Sequence, residues 1–388
     1  MTLAPSVFLA LLACAVCLYW ALPARWSAGR AILLVATSSV VVFLISPAAL
    51  FVAIMTALAT SVLSHVLAAR PSRPLVWSSV AAIVAILIYS RLTPLAAGGI
   101  PLVDLTGSAF FALKGIAILS DAYRYERPTR PLDALLLILF FPTYEAGPIE
   151  QPSTLNATKC NAKPEMEQLL SGAARILIGL AKQSYLAPVL VGGLEARYSP
   201  WFPAASVGDF AAGSFVLWLF LKWLVLYVMF SGYSDVAIGS ARLFGIKIRE
   251  NFNFPFLARN LQDFWKRWHI SLIDFMSGYV YQPFVRRTGW RFRGILVLFL
   301  LTGLWHAFNP QYLLWGLLHG TAMIAMARWQ RSETGAQVRR RIDGARPLAF
   351  AYGGASRVLT LLFVVWVSAI GSSETWERAL FVFTLGAI

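Results

Sequence analysis

Charge is scarce in this chain. Only 13% of the 388 residues are charged, about half of the roughly 25% usual in soluble domains. Acids are scarcer still, with 18 Asp and Glu against 33 Lys and Arg. Three cysteines are too few for a disulfide framework. Cys14 and Cys17 sit within an apolar run and Cys160 stands alone, so all three read as small buried apolar residues. The four histidines, His65, His269, His306 and His319, never form H-x-x-H or H-E-x-x-H, so nothing supports a metal hydrolase and no metal is expected. G-x-S-x-G and G-x-x-x-x-G-K-[ST] are missing too, which argues against a serine hydrolase and a P-loop pump. No fixed-period repeat is visible.

What is abundant is apolar surface: 58% of residues are hydrophobic and 14% aromatic. Runs able to cross the roughly 30 Å hydrocarbon layer include Pro5 to Leu22, Ala31 to Ile45, Ala48 to Ala69, Leu75 to Tyr89, Leu102 to Leu119, Ser171 to Leu190, Ser214 to Phe230, Ile295 to Phe308, Gln311 to Ala327 and Val358 to Ile370. The pattern predicts an all-α polytopic membrane protein with roughly ten or eleven transmembrane or re-entrant helices. No basic stretch precedes the first run, which therefore reads as a retained helix and not a cleaved signal. The last run stops at Ile388, soon after Arg378, and reads as an incomplete span.

The net charge of +15 falls in the joints between these runs, so it reads as membrane topology and not as a nucleic-acid surface. Arg25 and Arg30, Arg70 and Arg73, then Arg124, Arg127 and Arg130 follow alternate apolar segments. By the positive-inside rule these joints are cytoplasmic, as are Arg286 to Arg293 and Arg328 to Arg346, and the N-terminus is outside.

Two stretches interrupt the apolar pattern. Gly147 to Gln168 is rich in Pro, Asn and Thr and reads as a loop leading into a helix at Met166. In Asn260 to Phe275, Leu261, Phe264, Trp265, Trp268, Leu272 and Phe275 recur at three- and four-residue steps, which predicts an amphipathic helix with His269 near its greasy face. His269 and Asp274 form H-x-x-x-x-D, a spacing that turns the two side chains apart along a helix. His65 and His319 read as hydrogen-bonded packing residues. His306 ends a membrane-length apolar run, where an ionisable group is costly and therefore a functional candidate. A single imidazole titrates near operating pH and can serve as a general base toward a hydroxyl.

Five stretches together resemble the membrane-bound O-acyltransferase family, in the branch with bacterial alginate O-acetylases and the D-alanyl-transfer protein of teichoic acid synthesis. They are GSAFFALKGIAILSDAYR (Gly107 to Arg124), FFPTYEAGPI (Phe140 to Ile149), FSGYSDVAIGSARLFGI (Phe230 to Ile246), NFNFPFLARNLQDFWKRWHISL (Asn251 to Leu272) and TGLWHAF (Thr302 to Phe308). They lie in the family's order within residues 107–320, the expected catalytic core of a single membrane domain over 1–388. Residues 1–100 would supply N-terminal helices, and 328–388 a cytoplasmic loop and C-terminal helices.

The resemblance implies helices around a central tunnel in the inner membrane, with an acyl thioester arriving from the cytoplasm and an acceptor hydroxyl from outside. It implies acyl transfer, most simply of acetyl, with acetyl-coenzyme A or another acyl thioester as co-substrate and no bound cofactor. The partners it implies are membrane lipid, acyl-coenzyme A or an acyl-carrier protein, and an extracytoplasmic polysaccharide or a partner acyltransferase, with no nucleic acid. The histidine of the family's W-H-G-like motif falls on His306, the expected catalytic base, and that of its R-W-H-x-S-L motif falls on His269, the expected assistant. The chain departs from the pattern at Glu145, at Ser277 and Gly278, and at Ala307.

Several assignments stay open at this stage. Lys266 and Arg267 are candidates to attract the donor's phosphates, or they are flank charges. Trp268 and Trp305 are packing residues or acyl contacts, and Tyr233 and Asp235 are candidates to order a cavity wall. Two other functions compete with acyl transfer. Lys182, Asp235 and His319 in or near apolar segments suit a transporter or channel, although the inverted repeat of that class is not seen. The departures suit a family scaffold that acts only as an assembly partner.

Overall fold

The computed structural model describes residues 3–96, 104–198 and 212–384. The start of the apolar run at Leu102 and the last residues of the C-terminal run lie outside them. Nearly all described residues in regular structure are helical, and no named strand occurs among them. Among the described residues six helices are long and apolar enough to cross a membrane: Ser27–Ile45, Pro47–Ala69, Arg73–Leu92, Met166–Gly193, Val216–Leu243 and Arg346–Gly371. Large apolar side chains on them face outward, among them Phe43, Phe51, Val62 and Leu177, as side chains do where the solvent is hydrocarbon. The chain is an integral, multi-pass membrane protein.

The chain divides into two compact units, Met1–Ser184 with Phe230–Glu250, and Tyr185–Met229 with Asn251–Ile388. The first holds α1 (Pro5–Ala21), α2 (Ser27–Ile45), α3 (Pro47–Ala69), α4 (Arg73–Ala96), α5 (Ser108–Tyr125), α6 (Pro131–Leu139), α7 (Met166–Ala181) and the C-terminal part of α9 (Ala212–Leu243). The second holds α8 (Ala187–Tyr198), the N-terminal part of α9, α10 (Leu261–Trp265), α11 (Ile270–Met276), α12 (Gln282–Thr288), α13 (Arg291–His306), α14 (Pro310–Arg331), α15 (Glu333–Asp343), α16 (Arg346–Gly371) and α17 (Trp376–Phe383).

Local chemistry sets many of these boundaries. Proline in the first turn opens α1, α3, α6, α12, α14 and α16, where its missing N–H costs nothing. Ser46 caps α3 by accepting from the Ala49 N–H at 3.1 Å, and Asn309 caps α14 through the Tyr312 N–H at 2.9 Å.

In the first unit α7 and α9 cross antiparallel through four glycines. A Cβ on Gly179 would lie 2.6 Å from the Gly232 carbonyl oxygen, and one on Gly239 would lie 2.6 Å from that of Gly172. Only hydrogen fits at such a crossing, and the backbones approach closely. Asp235 lies between Gly232 and Gly239 in the sequence and accepts from Arg175 at 2.9 Å and Lys182 at 2.6 Å. Arg175 also grips Glu250 at 2.5 Å. Buried carboxylates are tolerated when paired in this way.

Arg30 is 2% exposed and does not behave as a flank charge. Its guanidinium donates to the carbonyls of Leu22, Cys160 and Ala162 and lies over the rings of Tyr19 and Trp20. Cys160 is buried as expected, but Cys14 and Cys17 are exposed on the outer face of α1.

In the second unit α13 and α14 form an antiparallel hairpin. A Cβ on Gly303 would overlap the Tyr312 carbonyl, and one on Gly316 would lie 2.6 Å from the Phe299 carbonyl oxygen. This close approach brings the end of α13 against the start of α14.

Candidate active site

The expected amphipathic helix over Asn260 to Phe275 is broken in the middle. Phe264 and Trp265 close α10, and α11 starts only at Ile270. Between them Trp268 forms an antiparallel bridge with Phe252, the Asn253 N–H donates to the Arg267 carbonyl at 2.9 Å, and the Ile270 N–H donates to the Asn251 carbonyl at 3.0 Å. His269 is held on both sides with φ of +45°, a left-handed conformation that is rare and strained outside glycine and that clusters at functional sites. The apolar period is genuine, but the NFN segment outcompetes the helix for the backbone of residues 267–270.

His269 is 2% exposed, and its Nδ1 lies 3.3 Å from Oδ1 of Asn251, itself fully buried. The same oxygen accepts from the Ser271 hydroxyl at 2.7 Å and from the Ser271 N–H at 3.3 Å. A backbone N–H can only donate, so the amide atom facing His269 is oxygen. Nδ1 of His269 therefore carries the proton, and its Nε2 carries the lone pair. Asp274 is exposed on the other side of the break.

His306 is the last residue of α13 and only partly buried. Its ring stacks on Tyr312 at 5.3 Å and meets Trp315 edge-on at 5.6 Å and Trp305 at 4.9 Å. Trp305 also lies 6.0 Å from the His269 ring. One indole thus lies beside both imidazoles. Ala307, where the resemblance leads one to expect glycine, has φ of −159°. That is extended backbone open to any residue, so alanine fits there without strain. Gly278 sits in a π-helical turn with no atom within 4 Å of a built Cβ.

The other candidates separate. Trp268 is buried in a stack with Trp223 at 5.4 Å and Phe264 at 5.7 Å, which is core packing. Arg267 is paired with Asp263 at 2.8 Å and donates to the Asn253 carbonyl, while Lys266 is exposed. Burial raises the Asp263 pKa, but the Arg259 N–H and the Arg267 guanidinium outweigh it and hold the carboxyl below its usual value. Tyr233 and Asp235 belong to the first unit. Asp235 is committed to Arg175 and Lys182, and Tyr233 lines a cleft with Glu145. That pairing also accounts for Lys182 without a transport pathway. Among the described residues no group of three or more His, Cys, Asp or Glu side chains is placed to hold a metal ion.

Sequence reasoning did not single out Asn251, Tyr312 or Trp315. A signal existed for the last two, since Tyr312, Trp315 and His319 recur at helical spacing on one face. His319 is 1% exposed and packs on Trp315, Trp265, Phe363 and Phe299, as expected of a packing residue, but its Nδ1 has no hydrogen-bond partner among the described residues. His65 does bond the Ser61 carbonyl, at 2.9 Å.

The chain is similar to several known proteins. The probable alginate O-acetylase of Azotobacter vinelandii is 28% identical over 287 residues, covering 72% of this chain and 54% of that protein. The teichoic acid D-alanyltransferase of Bacillus subtilis is 32% identical over 238 residues, covering 57% of this chain and 58% of its own. The peptidoglycan O-acetyltransferase of Helicobacter pylori is 31% identical over 255 residues, covering 55% and 46%. The chain spans about half the length of these relatives. The model of the membrane-bound O-acyltransferase family matches residues 26–349, which include both histidines and the glycine crossing. The chain belongs to the membrane-bound O-acyltransferase family.

Proposed function

We propose that this chain is an O-acyltransferase that moves a short acyl group, acetyl in the simplest case, from a cytoplasmic thioester to an acceptor hydroxyl outside the inner membrane. The donor is acetyl-coenzyme A or an acyl-carrier protein. The acceptor is a polysaccharide, as the names of the alginate and peptidoglycan relatives suggest, or a partner acyltransferase that completes the transfer. The observation that carries this reading is the pair of imidazoles on either side of Trp305 in a chain of this family.

In the reaction His306 takes the proton of the acceptor hydroxyl as its oxygen attacks the thioester carbonyl. The tetrahedral intermediate collapses, the C–S bond breaks, and the proton passes to the departing sulfur, leaving an ester and a free thiol. A thioester already has a good leaving group, so a base and an aligned hydroxyl suffice. His269, oriented by Asn251, assists by positioning or proton transfer. The reaction lies at membrane depth because donor and acceptor reach it from opposite faces.

The experiment is release of free thiol from acetyl-coenzyme A by reconstituted protein, wild type beside His306→Ala. A general base contributes about 10² to 10⁴ in rate, so the variant should be silent while remaining folded. Equal thiol release by both proteins would remove His306 from the reaction.

A further inference from the structure

One end of the second unit carries a basic surface that the proposed reaction does not use, and the positive-inside rule makes that end cytoplasmic. Residues 286–293 hold four arginines and no acid, and residues 328–346 hold six arginines against two acids. Ring contacts join the two stretches. Arg328 and Arg331 of α14 lie over Phe292 at the start of α13, at 5.0 and 5.9 Å, and Arg293 lies 4.1 Å over Trp290. These three arginines are exposed and take part in no ion pair among the described residues. A guanidinium over a ring still presents the edge of its N–H fork, which matches a phosphate.

Exposed aromatic side chains are interleaved with these arginines. Trp290 is 53% exposed, Trp329 stands between Arg328 and Arg331, and Phe350, 86% exposed, follows Arg346 by about one turn of α16. Because α16 is long and apolar enough to cross a membrane, its first turn marks the level where the hydrocarbon layer begins. A soluble polyanion would neutralise the arginines but leave the indoles and the phenyl ring in water. A layer of lipid headgroups answers both demands, with aromatic rings at the boundary of the acyl chains and arginines reaching the phosphates. A zwitterionic headgroup brings its own ammonium to its phosphate, so the patch favours a lipid of net negative charge.

We propose that this patch is a binding site for anionic phospholipid headgroups of the cytoplasmic leaflet, with Arg293, Arg328 and Arg331 as its phosphate contacts and Trp290 and Phe350 as its anchors at the acyl boundary. The site is local to the α13–α14 hairpin and goes beyond the general attraction of basic joints for a membrane. It stands independently of the acyl-transfer reading, since it uses neither histidine.

The test is native mass spectrometry of the purified full chain in a neutral detergent, comparing bound phosphatidylglycerol with phosphatidylcholine of the same acyl chains. Wild type should prefer phosphatidylglycerol about tenfold or more, and the preference should shrink as ionic strength rises. An arginine near an anionic surface is worth about fivefold in affinity, so Arg293→Gln, Arg328→Gln and Arg331→Gln together should bring the two lipids to near parity. Removing the same charge from exposed joints of the first unit, by Arg70→Gln, Arg73→Gln and Arg127→Gln, should leave the preference almost intact. Should the first triple variant fail to fold, Arg340→Gln with Arg341→Gln, exposed on α15, must reduce the preference severalfold. Equal binding of the two lipids by wild type overturns the proposal. An equal loss in both triple variants overturns it too and returns the arginines to flank charges. Displacement of the lipid by free glycerol phosphate at matched concentration overturns it in favour of a soluble phosphate.

Discussion

The two units use the same kinds of residue for opposite ends. In the first, buried charge is consumed by structure. Asp235 is shared by Arg175 and Lys182, Arg30 satisfies three carbonyls, and Lys114, fully buried, donates to the carbonyl and hydroxyl of Thr143. In the second unit the buried titratable groups are histidines set among aromatic rings, and the described ion pairs, Arg267 with Asp263 and Arg378 with Glu374, are more exposed. An ion pair fixes two helices, but its charges are then tied up. An imidazole set among aromatic rings is neutral and needs no ion partner to be buried. The difference teaches that polarity in an apolar chain is read from its partners: charges joined across helices hold the fold, while neutral rings gather at the candidate site.

The comparison can be broken or sharpened by substitution. The largest effect is expected at Gly179 in the first unit, where Gly179→Leu forces a side chain against the Gly232 carbonyl. Overpacking costs about 1 to 3 kcal/mol or more, so the detergent melting midpoint should fall steeply. A midpoint equal to wild type would mean that the glycine crossing does not hold α7 and α9 together. Next, Asp235→Asn leaves Lys182 without its carboxylate and Arg175 with Glu250 alone, and should cost on the order of 2 to 3 kcal/mol. Chemical denaturation would show this as a lower midpoint, with the rate per folded molecule retained.

Asn251→Ala should act on rate as well as on stability, since the buried Ser271 hydroxyl and N–H lose the same acceptor. Without the Asn251 oxygen, His269 loses the acceptor that fixes its tautomer, and misorientation of a group in the reaction can cost about 10²-fold. Steady-state thiol release should show this in kcat, with KM for the thioester little changed. Unaltered kcat would reduce His269 to packing.

The smallest effect is a pH dependence at Asp263. Its folded pKa is depressed, so the stability it adds is present above the unfolded carboxylate value, about 3.9, and is lost as pH falls through the lower folded value. The pair with Arg267 is partly exposed, which keeps the gain below about 1 kcal/mol. Asp263→Asn should therefore lower stability slightly at neutral pH, by less than about 1 kcal/mol, and the difference from wild type should disappear as pH falls through the folded value.

Much of this was legible in the sequence. Apolar runs located the helices because the hydrocarbon layer demands length and apolarity together, and the five ordered blocks pointed to the family. The break at residues 266–269 was not legible. Leu261, Phe264, Trp265 and Trp268 keep a helical period, and nothing local announces that residues 251–253 pair with 267–270. Arg30 also read as an ordinary flank charge, because its carbonyl partners at Cys160 and Ala162 are 130 and 132 positions away. The role of Asn251 was hidden for the same reason: it acts on His269 from 18 residues upstream. Periodicity reports which side is greasy, whereas hydrogen bonds between distant segments decide where a helix stops.

The most direct measurement compares His306→Gln and Asp235→Asn with wild type in one reconstitution, reading thiol release from acetyl-coenzyme A per folded molecule. The account predicts that His306→Gln keeps its melting midpoint and loses release by about 10² or more, while Asp235→Asn melts earlier and turns over normally once folded. Full turnover by His306→Gln, or silence from folded Asp235→Asn, would contradict it.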